Sequence, residues 1–402
     1  PHSSCSSPPR TGTALSSCCH RQRRPPRRTG RGRRGSAAAV RWEMEVPEST
    51  LDQGQPAATV CVTGATGYIG SWLVRSLLRR GYAVHAAARD LGKASQLLTS
   101  WDHDGDICSN RDRRLKMFKA NMDEEGSYDE VVKGCVGVFH VAASMEFSVP
   151  LGATDIETQV RSKILEPAIQ GTINLLKACQ KARSVRRVVF TSSISTITAR
   201  DSLGNWKSIV DESSLVPIDI TWKTKANGWV YVLSKLLTEE AAFQFAAENG
   251  IDLVSIISTT VAGPFLTPIV PMSVRVLLSP ITDDSELYSI LLAVHSRLGS
   301  ISLVHIEDVC NAHILIMEQK VAKGRYICST GSCVMPQLTE MLSMEYPMFN
   351  AKRFEGKFHD SLPSVISSNR LVDLGFEFKH GVRDIVKQSI DCCVGHGFLK
   401  NP

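Results

Sequence analysis

Val62-Thr63-Gly64-Ala65-Thr66-Gly67-Tyr68-Ile69-Gly70 sets three glycines at three-residue spacing, at the point where the apolar run Thr59 to Thr63 gives way to a helical period. Ile69, Trp72, Leu73 and Leu77 then recur at helical spacing, and Gly81 follows as a stop. A strand that turns into a helix through glycines makes a phosphate cradle. Gly64 permits the tight turn, Gly67 lets backbone N–H groups approach a pyrophosphate, and Gly70 lets the helix pack closely on the sheet, with the phosphates at the positive end of the helix. Thr63, Tyr68 and Ile69 belong to the same segment and are expected to line a bound dinucleotide.

Outward from this turn the chain alternates short apolar strands with helices, the pattern of a parallel sheet covered on both faces. Strands are expected at Thr59 to Thr63, Ala83 to Ala88, Leu115 to Ala120, Val136 to Val141, Arg187 to Thr191 and Leu253 to Ile257. Helices are expected from Ile164 to Cys179, interrupted near Pro167, and from Trp229 to Glu248. From Pro264 the regularity decays, because Pro264, Pro268, Pro271 and Pro280 cut the chain into short segments, with one more apolar element at Val304, Ile306 and Val309. The expected fold is α/β: a doubly wound, parallel-sheet Rossmann domain with a smaller, interleaved C-terminal substrate lobe. Its boundaries are read as a tail and linker at 1–57 and a catalytic body at 58–400. Within the body, 58–262 and 303–328 form the cofactor part, and 263–302 and 329–400 the substrate lobe.

Charge at the end of the second strand selects the dinucleotide. A carboxylate there suits the ribose hydroxyls of NAD, and a cation suits the 2′-phosphate of NADP. This strand ends in Arg89, with Lys93 one turn further on. Asp90 is adjacent, but neighbours on an extended chain point in opposite directions. NADPH is the expected cofactor.

Tyr231 and Lys235 stand four residues apart on one expected helix, hence on one face. A phenol with an unperturbed pKa near 10 is a poor acid at neutral pH, and a neighbouring cation lowers that value by stabilising the phenolate. Lys235 is also placed to bind the nicotinamide ribose. Ser193, at the end of the strand Arg187 to Thr191, is expected to hydrogen-bond a substrate carbonyl oxygen and polarise it. The chemistry implied is carbonyl reduction.

Composition limits the alternatives. The net charge of +6 comes from 46 basic and 40 acidic residues, but ten of the basic ones are arginines between Pro1 and Trp42, where no acid occurs. Without them 36 basic residues face 40 acidic ones, so the body is mildly acidic and no nucleic-acid partner is expected. The Ser-, Pro-, Arg- and Gly-rich tail has too few large apolar residues to order itself. Its preferred reading is upstream sequence ahead of a start at Met44, with a transit peptide as the alternative, so a cytoplasmic setting is expected and a plastid one stands beside it. No apolar stretch reaches the roughly 18 residues of a membrane helix. The twelve cysteines lack zinc-ligand spacing, so reduced thiols and no metal are expected.

The stretches VTGATGYIGSWLVRSLLRRGY, GCVGVFHVAAS, PAIQGTINLLKAC, RRVVFTSSIS, AGPF, HIEDVCNAH, GRYIC and DLGFEFKHG together resemble the extended, plant-type short-chain dehydrogenases/reductases of the dihydroflavonol 4-reductase and anthocyanidin reductase family. The resemblance runs from about Val60 to Leu399. It implies that Ser193, rather than Ser192, is the catalytic serine. It also implies that Val141 and Ala142 flank the nicotinamide, that Asn121 and Met122 lie around the adenine where the family has Asp-Leu, and that Ser258 replaces a proline near the carboxamide. Ser144, Thr198 and Phe265 fall at substrate positions. Thr198 stands where dihydroflavonol reductases carry Asn or Asp, and Asn227 to Lys235 departs from the cinnamoyl-CoA reductase pattern. The segment Ser279 to Ser302 is more like anthocyanidin reductases, although Val232-Leu233-Ser234-Lys235 differs from their P-A-S-K. The resemblance therefore implies NADPH-dependent reduction of a flavonoid-type substrate, first anthocyanidin to flavan-3-ol. Dihydroflavonol or another ketone or aldehyde is the alternative substrate, and a cofactor-binding regulatory protein without turnover is the alternative of another class.

Overall fold

The structure, a computed structural model, describes residues 58–144, 147, 155–201, 203–350 and 364–401 except for 101–113, with side chains of 96–100 also left aside. The Arg-rich tail lies outside the described residues. Among the described residues twelve strands follow in chain order: β1 (Thr59–Thr63), β2 (Ala83–Ala88), β3 (Leu115–Lys119), β4 (Gly137–His140), β5 (Arg187–Ser193), β6 (Ile209–Val210), β7 (Leu253–Ser258), β8 (Thr260–Ala262), β9 (Ile301–His305), β10 (Gly324–Cys328), β11 (Gly331–Cys333) and β12 (Val365–Ile366). Seven of them form one sheet in the order β10-β7-β5-β4-β1-β2-β3. Every pairing in it is parallel.

Residues along each strand alternate between two helical layers, as the period of two requires. Val60 and Val62 of β1 join Phe139, Val189 and Ile256 on the face covered by the helices Tyr68–Arg79 and Ile306–Glu318. Cys61 joins Val138, Val188 and Phe190 on the other face, under the helices Glu166–Ala182 and Trp229–Glu248. This is the doubly wound Rossmann arrangement. The strand order reverses between β1 and β4, and in such sheets the crevice at the carboxyl ends of the two strands beside the reversal is where ligands bind. That crevice lies between Thr63 and His140.

Pro264 and Pro268 lie in irregular chain, as expected, but Pro271 and Pro280 begin short helices. Pro271 caps the helix Met272–Leu277, and Pro280 sits in the first turn of Ser279–Thr282. A proline costs nothing at the start of a helix, where its missing N–H has no partner. The next helix, Ser285–Leu298, opens on Asp284, whose carboxylate accepts from the N–H of Leu287 at 3.0 Å. These elements pack with β8, β9, β11 and the helices Met335–Glu345 and Val382–Gly395 around a second apolar core that includes Leu277, Leu291, Leu303, Leu338 and Ile385. Pro167 likewise leaves its helix intact. It occupies the first turn of Glu166–Ala182, and the irregularity lies just before it, where Arg161–Leu165 winds as a π-helical turn after Ile156–Val160.

Candidate active site

The glycine turn has the shape its residues predicted. Gly64 sits at φ +65°, and a Cβ there would come within 2.9 Å of the Ala142 backbone. A Cβ on Gly70 would meet the Gly64 carbonyl oxygen at 2.1 Å. Gly67 is the exposed member of the three, and it begins the helix Tyr68–Arg79 with no side chain capping it. The first N–H groups of a helix have no intrahelical acceptor, so this uncapped end presents donors and a partial positive charge to the crevice. The cradle fits a dinucleotide pyrophosphate. The Tyr68 side chain is engaged elsewhere: its hydroxyl donates to the Gly263 carbonyl at 3.1 Å, and its ring packs against both the first and second cores. Ile69 packs against the first core, so Tyr68 and Ile69 can offer a ligand only their backbone.

A buried polar chain fixes the opposite wall of the crevice. The Thr63 hydroxyl oxygen accepts the N–H groups of Val141 and Ala142 at 3.1 and 3.0 Å and lies 2.9 Å from Nδ1 of His140. With both amides donating to it, the hydroxyl gives its own proton to Nδ1. Nε2 of His140 then carries the ring proton and donates to the Thr172 hydroxyl at 3.1 Å. Burial, reinforced by the charge of Lys235, pushes His140 down to about 3, so the ring is neutral at physiological pH. His140 was not a candidate in the sequence, because a single histidine at a strand end carries no motif. The pairing of β1 with β4, which sets Thr63 opposite His140, is what gives it a role.

At the end of β2, Arg89, Asp90 and Lys93 are all exposed. The Asp90 carboxylate turns onto the helix Leu91–Ser100 and accepts from the N–H groups of Gly92 and Lys93 at 2.8 and 3.3 Å. Arg89 is thereby the charge that β2 leaves at its open end. Asn121 is held at the end of β3, its N–H donating to the Ser127 hydroxyl at 2.8 Å and its amide nitrogen to Glu124 at 3.2 Å. Met122 packs on Gly171, where a Cβ would come within 2.9 Å of it, and its carbonyl accepts from Asn174 at 2.9 Å.

Ser193 ends β5, and Tyr231 and Lys235 lie on the helix Trp229–Glu248. Val230, Val232, Leu233, Ser234 and Leu236 of that helix are buried, while Tyr231 and Lys235 are only partly buried on their shared face. The Phe147 ring meets Tyr231 edge-on at 5.0 Å. A second network couples this helix to Ser193. The Ser193 carbonyl accepts from the Thr196 hydroxyl at 2.9 Å, and the Thr196 hydroxyl accepts from Arg325 of β10 at 3.0 Å. Arg325 in turn pairs with Glu239 at 2.8 Å. Glu239 stands one turn beyond Lys235, so a buried ion pair fixes the helix that carries Tyr231 against the strand that carries Ser193. Neither Arg325 nor Glu239 showed itself in the sequence, since their 86-residue separation hides the pairing.

Ser258 of β7 lies opposite Ser193 in the register, and its hydroxyl donates to the Ser192 carbonyl at 3.2 Å. Ser144 is partly buried four residues beyond β4. The other two residues read at substrate positions are packed away. Thr198 is buried and its hydroxyl accepts from the N–H of Arg200 at 3.2 Å, while Phe265 is buried in the second core with its ring 4.5 Å from His396. Away from the crevice, His305, Glu307 and His380 bring ligand-type atoms within 4.8 Å of one another. Both ring nitrogens of His305 already have protein partners, Glu307 N–H at 3.2 Å and Gln388 at 3.2 Å.

Residues 60–328, from β1 to the end of β10, match the NAD dependent epimerase/dehydratase family. The chain belongs to that family. Within it the chain is 42% identical to dihydroflavonol 4-reductase from Arabidopsis thaliana over 343 residues, covering 85% of this chain and 84% of that protein. A Ginkgo biloba protein with a provisional anthocyanidin reductase name is also 42% identical, over 88% of this chain and 99% of its own length. Vestitone reductase from alfalfa (Medicago sativa) superposes with a TM-score of 0.66 at 29% identity, covering 85% of this chain and 99% of that one. These findings make this epimerase/dehydratase-family protein an NAD(P)-dependent reductase of the plant flavonoid-reductase type. No helix among the described residues is long and apolar enough to cross a membrane. Eight cysteines among them are free thiols, seven of these buried.

Proposed function

We propose that this reductase uses NADPH to reduce a flavonoid-type substrate, with anthocyanidin to flavan-3-ol as the first assignment. The observation that carries the reading is the Arg325–Glu239 pair, which ties the helix bearing Tyr231 and Lys235 to Thr196 and so to the end of the strand bearing Ser193, in a chain whose glycine cradle stands uncapped at the strand-order reversal. The cradle backbone at Gly67 and the amides of Tyr68 to Gly70 hold the pyrophosphate, and Arg89 with Lys93 receives the 2′-phosphate. Asn121 and Met122 border the adenine, and Val141, Ala142 and Ser258 flank the nicotinamide. Bound there, NADPH supplies a hydride. Ser193 orients and polarises the substrate oxygen, Tyr231 gives it a proton, and Lys235 stabilises the phenolate left behind. An anthocyanidin taken as its neutral quinonoid base, which carries a carbonyl oxygen, needs two hydrides from two NADPH molecules and two protons to become a flavan-3-ol.

The division into a cofactor part (58–262 and 303–328) and a substrate lobe (263–302 and 329–400) goes with this reading, supported by the second apolar core, whose members come mostly from the lobe segments. Ser144 stays a substrate-facing candidate, whereas Thr198 and Phe265 would shape the wall from behind. The protein acts on small molecules without a nucleic-acid partner. Free, mostly buried thiols suit the reducing cytosol.

A dihydroflavonol is the second reading, favoured by 42% identity to a protein of that name. Incubating the protein with NADPH and a panel of anthocyanidins, dihydroflavonols and simple aromatic ketones, followed by product analysis, decides between them. Flavan-3-ol as the main product supports the first assignment, and leucoanthocyanidin in its place transfers the assignment to dihydroflavonols. Oxidation of NADPH with no member of the panel removes the reductase reading.

A further inference from the structure

The helix Ser285–Leu298 is tied to the segments next to both candidate catalytic elements. Near its start the Ser289 hydroxyl accepts from Asn227 at 2.8 Å, two residues before the helix that carries Tyr231 begins. At its end the Arg297 carbonyl accepts from the N–H of Ala199 at 3.2 Å, in the segment that follows Ser193. Val294 and Leu298 pack beside Ile194, Ile197 and Ala199. Arg297 is therefore held between the two elements that carry Ser193 and Tyr231.

Its side chain is unusual. Nε of Arg297 is buried without a hydrogen-bond partner, in a residue that is partly buried as a whole, and no ion pair with a carboxylate is formed by its guanidinium among the described residues. A guanidinium stays protonated, and one withdrawn from water normally pairs with an anion or with carbonyls. Among the described residues, Arg187 meets Asp252 and four backbone carbonyls, Arg325 meets Glu239, and Arg275, whose Nε is likewise unpartnered, still faces Asp284 at 3.5 Å. Burial lowers Arg297 to about 10, and Tyr231 is the charged-form neighbour that offsets this, which places the two side chains within electrostatic reach.

We propose that Arg297 is a specificity-determining residue of the substrate site, whose planar guanidinium takes an anionic oxygen of the substrate, first an ionised phenol of a polyphenolic carbonyl compound. The fork of N–H groups suits such an oxygen, and the low polarity around it strengthens the contact. A carboxylate presents the same chemistry. This inference rests on the reductase reading with Tyr231 at the reacting centre.

The test compares wild type, Arg297→Met and Arg297→Lys on three substrates of one scaffold: a flavonoid with a free acidic phenol, its O-methyl ether and an aromatic ketone bearing a carboxylate. In Arg297→Met, KM for the free phenol rises tenfold to a hundredfold, the range for losing a charged hydrogen bond, while kcat changes less and the methyl ether moves less than twofold. Arg297→Lys recovers part of the loss. A matching loss on the carboxylate substrate shows that any anionic oxygen is taken, and its absence confines the site to phenols. Equal losses on the phenol and its ether overturn the proposal and leave Arg297 a packing residue. Titration of NADPH by fluorescence, with urea unfolding of the same variants, separates this outcome from a damaged fold. Wild type inactive on all three substrates, by contrast, removes the reductase reading and this inference with it.

Discussion

The Thr63 hydroxyl lies 2.9 Å from Nδ1 of His140, across the point where the strand order reverses, and this contact joins the glycine turn to the backbone of Val141 and Ala142. Valine has the shape of threonine without its oxygen. Thr63→Val leaves two amides and a ring nitrogen short of partners, so stability falls by about 1–3 kcal/mol and NADPH binding weakens about tenfold. Thr63→Ser retains both. Urea unfolding and fluorescence titration measure the two effects, and a valine variant indistinguishable from wild type would remove the contact from the account.

The buried histidines give the fold an acid sensitivity with a definite sign. His140 is held at about 3 and His313 at about 4, both mainly by burial, against about 6.5 in an unfolded chain. As pH falls below 6.5 the unfolded state takes up protons that the folded state refuses. Stability is therefore fully present above 6.5 and declines by about 1.4 kcal/mol per pH unit for each histidine until the folded values are reached. Unfolding free energies at pH 7, 6 and 5 should decrease in that order, and a flat series contradicts the burial of neutral rings.

Arg89 is exposed at the end of β2 while the Asp90 carboxylate caps the following helix. Arg89→Ser is expected to raise KM for NADPH tenfold to a hundredfold and KM for NADH less than twofold, since only the former carries the 2′-phosphate. Equal effects on the two cofactors would count against NADPH selection by this residue.

The three glycines of the turn differ in what they can bear. An alanine at Gly70 drives its Cβ to 2.1 Å from the Gly64 carbonyl, whereas at Gly67 the closest atom stands at 3.3 Å. Gly70→Ala is predicted to lose about 1–3 kcal/mol of stability as helix and strand separate. Gly67→Ala is predicted to fold normally but to bind NADPH more weakly, because its methyl group fills the exposed cradle. Thermal melts with and without NADPH check both, and the reverse ranking would refute the close-packing role of Gly70.

The sequence disclosed those parts of the molecule whose signal is local. The strand from Ala83 to Ala88 and the helix from Trp229 to Glu248 run as expected, because a short apolar run marks the first and a long apolar segment closed by an Asn-Gly pair marks the second. The glycine turn was legible for the same reason. Long-range pairings were hidden: His140 takes its meaning from Thr63 and Thr172, and Arg325 from Glu239 and Thr196. After Pro264 the reading held for Pro264 and Pro268, which lie in irregular chain, and missed that Pro271 and Pro280 begin short helices and that the one visible apolar element is a strand, Ile301–His305, running straight into the helix Ile306–Glu318. Thr198 and Phe265 were assigned by position along the chain, and position does not report that both side chains are buried.

The central claim is that Tyr231 delivers the proton in an NADPH-dependent reduction, and Tyr231→Phe tests it most directly. Phenylalanine keeps the ring that meets Phe147 at 5.0 Å and removes only the hydroxyl. Turnover of the best substrate from the panel, measured beside NADPH affinity on the same preparation, should fall at least a hundredfold while the affinity changes less than about threefold, in line with the loss of a general acid. A Tyr231→Phe protein that retains most of its turnover contradicts the account.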